Sequence, residues 1–458
     1  VSAHTLYELT PSQELSMLNR HWTLHKSIVN IATSVTFDAP LERHLLAEAI
    51  RLCVLRWDAF AIRIVKEGKT FRQYFGDRDC LYVEQREFSD PAAMKRFFAR
   101  RAAARIPLVG SPQAGFVVFT APDGRTGIYS VICHLIMDSW AIARFYRDVI
   151  DVYWALSNRE PLPAPPYDHE PILLKELEYH HSARTQSDRT FWEQEIGVSQ
   201  PLFTSLKGSG VLARYRRMIR NPRARQCWVQ HLRTKADHVV LTVSPEDVAR
   251  FQAFLNEAKL PSMQALFALA LRLYLAKVND RTEDVTMGVN VARRATVAEK
   301  NSGGSRVQNL TLRTVMPESM TFIEALELLM DKQNQLFRHA DFSSMEMLFL
   351  PHRLYADLGS RPGTGYCDAL MTFQPTPMAV GHGLHCSTDW HCNGAFSMLS
   401  YLTVMDDDAS GGLRCYWERQ VHHLPVSTIR ACHSFMVAVM RAGTERPSIT
   451  VGELMDLS

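Results

Sequence analysis

An α/β protein of two lobes is what this sequence predicts, on three observations. A chain of 458 residues is too long for one ordinary hydrophobic core. Residues 127–132 (Gly-Ile-Tyr-Ser-Val-Ile) are β-rich, while 140–150 repeat apolar residues at helical spacing, so a strand runs into a helix there. Residues 264–275 are apolar nearly all round, as in a buried helix, and a β-rich stretch follows at 284–291, repeating the first layout without sequence similarity.

The composition, 46% hydrophobic and 22% charged, is that of a soluble globular protein. A formal net charge of only +3 and the lack of lysine runs argue against a nucleic-acid partner. No apolar run reaches membrane-spanning length, and the start has no signal-peptide order. The nine cysteines are scattered, which suits free thiols in a reducing cytoplasm, and no His/Cys/Asp cluster has metal-ligand spacing. His382, His385, Cys386 and His391 come nearest and read as incidental. A chain beginning on Val1 is expected to be one domain of something longer.

The chemistry is expected at the strand-to-helix junction, Cys133-His134-Leu135-Ile136-Met137-Asp138-Ser139-Trp140. A rigid element holds the histidine there, and imidazole exchanges a proton near neutrality, so His134 is a candidate general acid or base. The alternative is a buried histidine satisfied by a backbone carbonyl, with Asp138 capping the next helix.

The other elements follow in order. Thr10-Pro11-Ser12-Gln13-Glu14 opens a helix with Leu15, Leu18 and Trp22 on an apolar face, and a strand follows over 28–37. A helix over 41–55 leads to Arg56-Trp57-Asp58-Ala59-Phe60-Ala61-Ile62-Arg63-Ile64. Lys66-Glu67-Gly68-Lys69 turns a hairpin into the strand 70–75, residues 91–105 read as a helix, and 115–120 pair through a second turn with the strand entering Cys133. Pro161-Leu162-Pro163-Ala164-Pro165-Pro166 is an extended linker. Later strands are expected at 239–243, 368–374, 399–405 and 413–417.

The junction resembles the His-His-x-x-x-Asp-Gly signature of nonribosomal peptide synthetase condensation domains, in the chloramphenicol acetyltransferase-like superfamily. Cys133 stands for the first histidine and Ser139 for the glycine; His134 and Asp138 are kept. Partial matches fall in family order along about the whole chain. The segment 56–64 resembles the family's Arg-His-Glu-x-Leu-Arg motif, but Ala61 replaces the arginine that in the family pairs with the motif aspartate. Arg63, on the same face of the strand, is expected to pair with Asp138 instead; the alternative is an exposed arginine on an edge. Gly303-Gly304-Ser305-Arg306-Val307-Gln308-Asn309-Leu310-Thr311-Leu312-Arg313 resembles the Gly-x-Phe-Val-Asn-Thr-Leu-x-Leu-Arg motif, with Arg306 in place of phenylalanine and Gln308 in place of asparagine. Gly-Gly is also a plain turn.

The resemblance implies two chloramphenicol acetyltransferase-like lobes in a V-shaped pseudo-dimer with a tunnel between them. Residues 1–172 would form the N-terminal lobe and 173–458 the C-terminal lobe, with a floor loop at about 292–308 and a latch at about 375–390. It implies acyl transfer from a thioester on the phosphopantetheine of an acyl or peptidyl carrier protein to an amine or hydroxyl acceptor, small or carrier-bound, with no tightly bound cofactor. The chain would act as a monomer or as part of a larger synthetase. The implied roles are catalysis by His134, Asp138 and Ser139; support by Cys133, Trp140, Arg63, Gln308 and Arg313; and tunnel lining by Asn309 and Trp417. Cys133 is a nucleophile in principle, but a cysteine ending a strand reads as a packed thiol. The changes at 61, 133 and 139 leave open a condensation-like domain that recruits a partner enzyme or modifies a carrier-bound chain. The arginines of 199–235 fit an acidic carrier or a phosphate, but read first as a solvated loop.

Overall fold

A computed structural model describes residues 4–78, 82–229, 232–374, 381–407 and 410–457. The chain divides into two units: Val1–Ser182 with Ala292–Val307 and Thr376–Ala395, and Ala183–Val291 with Gln308–Pro375 and Phe396–Ser458.

The first unit is built on a five-stranded mixed sheet in the order Cys386–His391, Asn30–Phe37, Thr126–Cys133, Ala114–Thr120, Val83–Glu87. All neighbours are antiparallel except the last pair. Every residue of the strand Thr126–Cys133 is buried. Its two faces are covered, one by the helices Arg43–Arg56 and Ser139–Asn158 and the other by the helix Pro91–Ala102. A strand covered on both sides reads as a continuous apolar run rather than an alternating one. Its three hydroxyls are all satisfied: Thr126 Oγ1 donates to Leu41 O at 3.1 Å, Tyr129 Oη donates to Phe98 O at 2.8 Å, and Ser130 Oγ lies 2.6 Å from Tyr146 Oη and 3.2 Å from Thr33 Oγ1.

The helix Pro11–Trp22 starts on a Thr10/Gln13 capping box, yet it buries Ser12, Gln13 and Arg20, while Trp22 is 67% exposed. The expected apolar face is therefore not the packed one. Gln13 decides this: its amide donates to Leu135 O and Gln73 Oε1, both at 2.8 Å, and Ser12 Oγ donates to Val307 O. Buried polar side chains with good partners can outcompete a short apolar stripe. Of the expected latch, 375–380 lie outside the described residues, and Cys386–His391 forms the edge strand against Asn30–Phe37.

The second unit carries a six-stranded mixed sheet in the order Val307–Val315, Asp284–Ala292, Ala369–Gln374, Ser400–Asp407, Gly412–Gln420, Ala236–Val243. Its core centres on the helix Met263–Val278, capped by Ser262, with twelve consecutive buried residues from Ala265 to Ala276. Such a helix is held by packing on every side, as its all-round apolar sequence demands. No helix among the described residues is long and apolar enough to cross a membrane, and the eight described cysteines are all free thiols.

Candidate active site

His134 lies just past the end of the strand Thr126–Cys133, and its amide donates to Val29 O at 2.7 Å. The side chain is half-buried. Nδ1 lies 2.9 Å from Ser305 Oγ, and Nε2 has no hydrogen-bond partner among the described residues. Burial pushes the imidazole below its ordinary value of 6.5, against smaller upward pulls from its own backbone and from Asp138. The ring is thus neutral at pH 7, with one nitrogen tethered and the other open.

Asp138 is fully buried and caps the helix Ser139–Asn158, accepting from Ala141 N at 2.9 Å. The expected alternative role is therefore real for Asp138, but it is one of several. Arg294 Nη2 donates to both carboxylate oxygens, at 3.0 and 2.9 Å, and Arg306 N donates to Oδ2 at 2.9 Å. Burial pushes this carboxyl up; the guanidinium and the two amides outweigh it and hold the pKa below the usual carboxylate value.

The pairing of Arg63 with Asp138 is corrected. Arg63 is buried and donates from Nη1 to Phe60 O at 2.7 Å and Ile62 O at 3.1 Å, so it is neither the partner of Asp138 nor an exposed edge residue. Arg63 lies on the strand Ile62–Glu67, just after the 3₁₀ turn Asp58–Ala61, and its guanidinium reaches the nearby carbonyls of Phe60 and Ile62 first.

Segment 292–307 supplies most of the support. Gly304 N donates to Ile136 O at 3.0 Å and Asp138 N to Gly304 O at 3.3 Å. Trp140 Nε1 donates to Lys300 O at 3.0 Å, and Arg144 Nε to Asn301 Oδ1 at 2.8 Å. Gly303 and Gly304 are no plain turn. A Cβ on Gly303 would come within 2.2 Å of Ala59 Cβ, and one on Gly304 within 2.0 Å of His169 Cε1, with φ at +87° besides. Arg306 bonds Glu176 at 2.9 Å and Glu299 at 3.0 Å, while Arg293 bonds Glu176 at 2.6 Å. With Arg294 and Asp138, three guanidinium groups meet three carboxylates, so the buried charge balances. His169 sits beside them; burial and then the Arg306 and Arg294 charges drive its imidazole down to about 3.

The remaining expected residues separate from this group. Cys133 is buried, and burial pushes its thiol up to about 11, as for a packed core cysteine. Ser139 is the first residue of its helix. Four residues belong to the second unit. There, Gln308 Nε2 donates to Phe342 O at 2.6 Å and its amide oxygen accepts from Ser344. Arg313 forks onto Asp284 at 2.7 and 2.8 Å, and the Asn309 amide oxygen lies beside Gly288. Trp417 is 1% exposed in the apolar core of that unit, which corrects its assignment as a substrate-facing residue: strand alternation aims it inward. Ser305, Arg294, His169 and Glu176 escape a reading of local pattern; only the Gly-Gly pair next to Ser305 marks the neighbourhood.

The comparisons with known proteins give the family and the fold. The family model described as "Condensation domain" matches residues 3–348, well over half of the sequence, and the chain belongs to that family. Condensation domains are generally acyltransferases and work with substrates on carrier-protein phosphopantetheine. Among particular relatives, the chain is similar to a plipastatin synthase polypeptide of Bacillus subtilis (strain 168), at 21% identity over 99% of this chain and 17% of that one. It is similar also to surfactin synthase subunit 1 of the same organism, at 24% identity over 74% of this chain and 9% of that one. The chain thus spans less than a fifth of the length of these relatives. Its fold is that of the first condensation domain of the CDA synthetase, with a TM-score of 0.81 and 18% identity over 98% of both chains.

Proposed function

We propose that this chain catalyses acyl transfer from a thioester on the phosphopantetheine arm of a carrier protein to an amine or hydroxyl acceptor, forming an amide or ester in nonribosomal peptide or hybrid polyketide biosynthesis. The observation that carries it is His134: neutral, half-buried, tethered at Nδ1 and open at Nε2, on a loop held by a buried ion pair. Nε2 accepts the hydrogen of the acceptor N–H or O–H and orients its lone pair toward the thioester carbonyl. As the new C–N or C–O bond forms, the proton passes to Nε2. When the tetrahedral intermediate collapses, the C–S bond breaks and the imidazolium returns that proton to the departing pantetheine sulfur.

Asp138 acts through the loop, since its carboxylate is engaged by Arg294, Ala141 N and Arg306 N. Carrier proteins are the partners in this reading, and no resident cofactor takes part.

The test is a loaded-carrier assay against a panel of amines and alcohols. Wild type forms product, and His134→Ala loses on the order of a hundredfold or more of the rate. The rate falls on the acid side with a midpoint below 6.5, because the lowered imidazole pKa keeps the base free to lower pH. Product undiminished in His134→Ala, or no product with any acceptor, removes this reading in favour of a recruiting or chain-modifying domain.

A further inference from the structure

Charge is spread very unevenly along this chain. Segment 196–236 holds nine lysines and arginines and not one aspartate or glutamate, so the remainder carries 42 basic side chains against 48 acidic ones. A chain of formal net charge only +3 therefore gathers its positive charge in one stretch of the second unit and is net acidic elsewhere.

That stretch is folded, not a solvated loop. Gly210–Met218 is a helix that buries Leu212 and Tyr215, and these pack with Phe203, Ala224 and Cys227 in a small apolar cluster of their own. The chain then turns back on the helix: Arg216 Nε donates to Ala224 O at 2.7 Å, Asn221 N to Arg216 O at 3.0 Å, and Arg223 N to Asn221 Oδ1 at 3.0 Å. The short strand Cys227–Trp228 pairs with Thr364–Gly365.

On this fixed base Arg214, Arg217, Arg220 and Arg223 are exposed, and none of the four guanidinium groups has a partner among the described residues. Arg225 shows the contrast, since it turns inward to Asp284 at 3.3 Å and to Gln200 O at 2.9 Å. Met218 shares the helix face of Arg214 and Arg217 and is 70% exposed, and Trp228, on the strand beside that helix, is 48% exposed. Arginine, methionine and aromatic side chains are the residues enriched where one protein binds another. A nucleic acid fits less well, because a long polyanion also meets the net negative charge of the remaining chain.

We propose that the face formed by Arg214, Arg217, Met218, Arg220 and Arg223 is the docking surface for an acidic carrier domain. The partner's identity rests on the acyl-transfer reading, whereas the unpaired cations do not. Carboxylates of the carrier supply the missing counter-charges and steer its approach. The face touches no reacting atom, so its loss raises KM for the carrier and spares kcat.

The experiment compares an acyl group loaded on the carrier of the transfer assay with the same acyl group on free pantetheine, which has no protein to dock. The variants are Arg214→Gln/Arg217→Gln, the quadruple variant that adds Arg220→Gln/Arg223→Gln, and Lys259→Gln/Arg430→Gln, a control at two exposed cations elsewhere in the same unit. The first raises carrier KM about threefold and the quadruple on the order of tenfold or more, while kcat and the free-pantetheine rate stay within about twofold. The control leaves carrier KM within about twofold. The Kd of the holo-carrier, titrated directly, moves in parallel, and its salt dependence is shallower in the quadruple variant.

A folded quadruple variant with wild-type carrier KM and Kd overturns the proposal, as does a control that raises carrier KM as much as Arg214→Gln/Arg217→Gln. A short RNA that binds wild type more tightly than the carrier and is released by the quadruple variant, or a wild-type dimer in sedimentation that the quadruple variant abolishes, gives the face to another occupant and overturns it too. If wild type transfers no acyl group, the acyl-transfer reading fails on its own, and the holo-carrier titration still decides the docking surface.

Discussion

Asp138 and Asp368 are buried carboxylates, one in each unit, whose surroundings drive them in opposite directions. Asp138 has a guanidinium across both oxygens and two backbone amides, and it titrates below the ordinary range. Asp368 accepts from the Ser205 hydroxyl at 2.5 Å and Leu206 N at 3.2 Å and feels the Lys207 charge; burial dominates and pushes it up to about 6. Burial raises both carboxyls; at Asp138 the Arg294 guanidinium and two backbone amides together outweigh it, whereas at Asp368 a hydroxyl and an amide do not. The loop beside His134 is held by charge, whereas the second unit's core, around the helix Met263–Val278, is held by apolar packing.

The comparison breaks most visibly in alanine variants. Asp138→Ala leaves Arg294 buried without its partner and two amides without an acceptor, so it should cost about 3–5 kcal/mol in urea unfolding. Asp368→Ala strands only a hydroxyl and an amide, for about 1–3 kcal/mol. Equal losses in the two variants would show that the Arg294 pair is nothing more than another hydrogen bond.

The pH dependence separates the two carboxylates by sign. The folded-state pKa of Asp368 lies above its ordinary 3.8, so its contribution to stability is full below about pH 4 and is lost as pH rises through 6, by about 3 kcal/mol. Asp138 lies below its ordinary value, so its contribution is present above about pH 4 and is lost as pH falls further. Asp58, also pushed to about 6 by burial, titrates in the same window as Asp368. The informative quantity is therefore the difference between wild type and Asp368→Asn, which should flatten between pH 4 and 6. An Asp368→Asn curve parallel to wild type would contradict the assignment.

These contrasts also mark where sequence reading stops. His134 and Asp138 are four residues apart at a strand-to-helix junction, so local period and resemblance find both. Arg294 and Ser305 lie 156 and 171 residues from their partners, and no periodicity links positions so distant. Strand alternation places Arg63 on the face that would reach Asp138; alternation is silent about nearer carbonyls, which hold its guanidinium. The strands and the buried helix are legible because their hydrophobic runs are local. Trp22 and the polar face of Pro11–Trp22 are not, since the partners of Gln13 are Gln73 and Leu135.

The glycines sharpen the same contrast at a smaller scale. Gly304→Ala meets both positive φ and the His169 ring, and about 2 kcal/mol of destabilisation is expected. Gly68, at a hairpin turn with φ +60° and nothing within 4 Å of an added Cβ, should lose only about 1 kcal/mol as alanine. Shrinking the obstacle, as in His169→Ala/Gly304→Ala, should recover part of the first loss, and no recovery would place the whole cost in the backbone.

The smallest effect on stability is expected at two serines near the same histidine. Ser305 bonds His134 Nδ1, while Ser139 has no hydrogen-bond partner for its hydroxyl among the described residues and opens a helix already capped by Asp138. Ser305→Ala should therefore cost about 1 kcal/mol, and Ser139→Ala less than about 0.5 kcal/mol. The larger difference lies in the ring. Without Ser305 the imidazole loses its side-chain hydrogen bond among the described residues, so Nε2 samples more directions and the His134 titration shifts in Ser305→Ala alone. A titration moved by Ser139→Ala and untouched by Ser305→Ala would reassign the tether to the helix end and make segment 292–307 a support for Asp138 only.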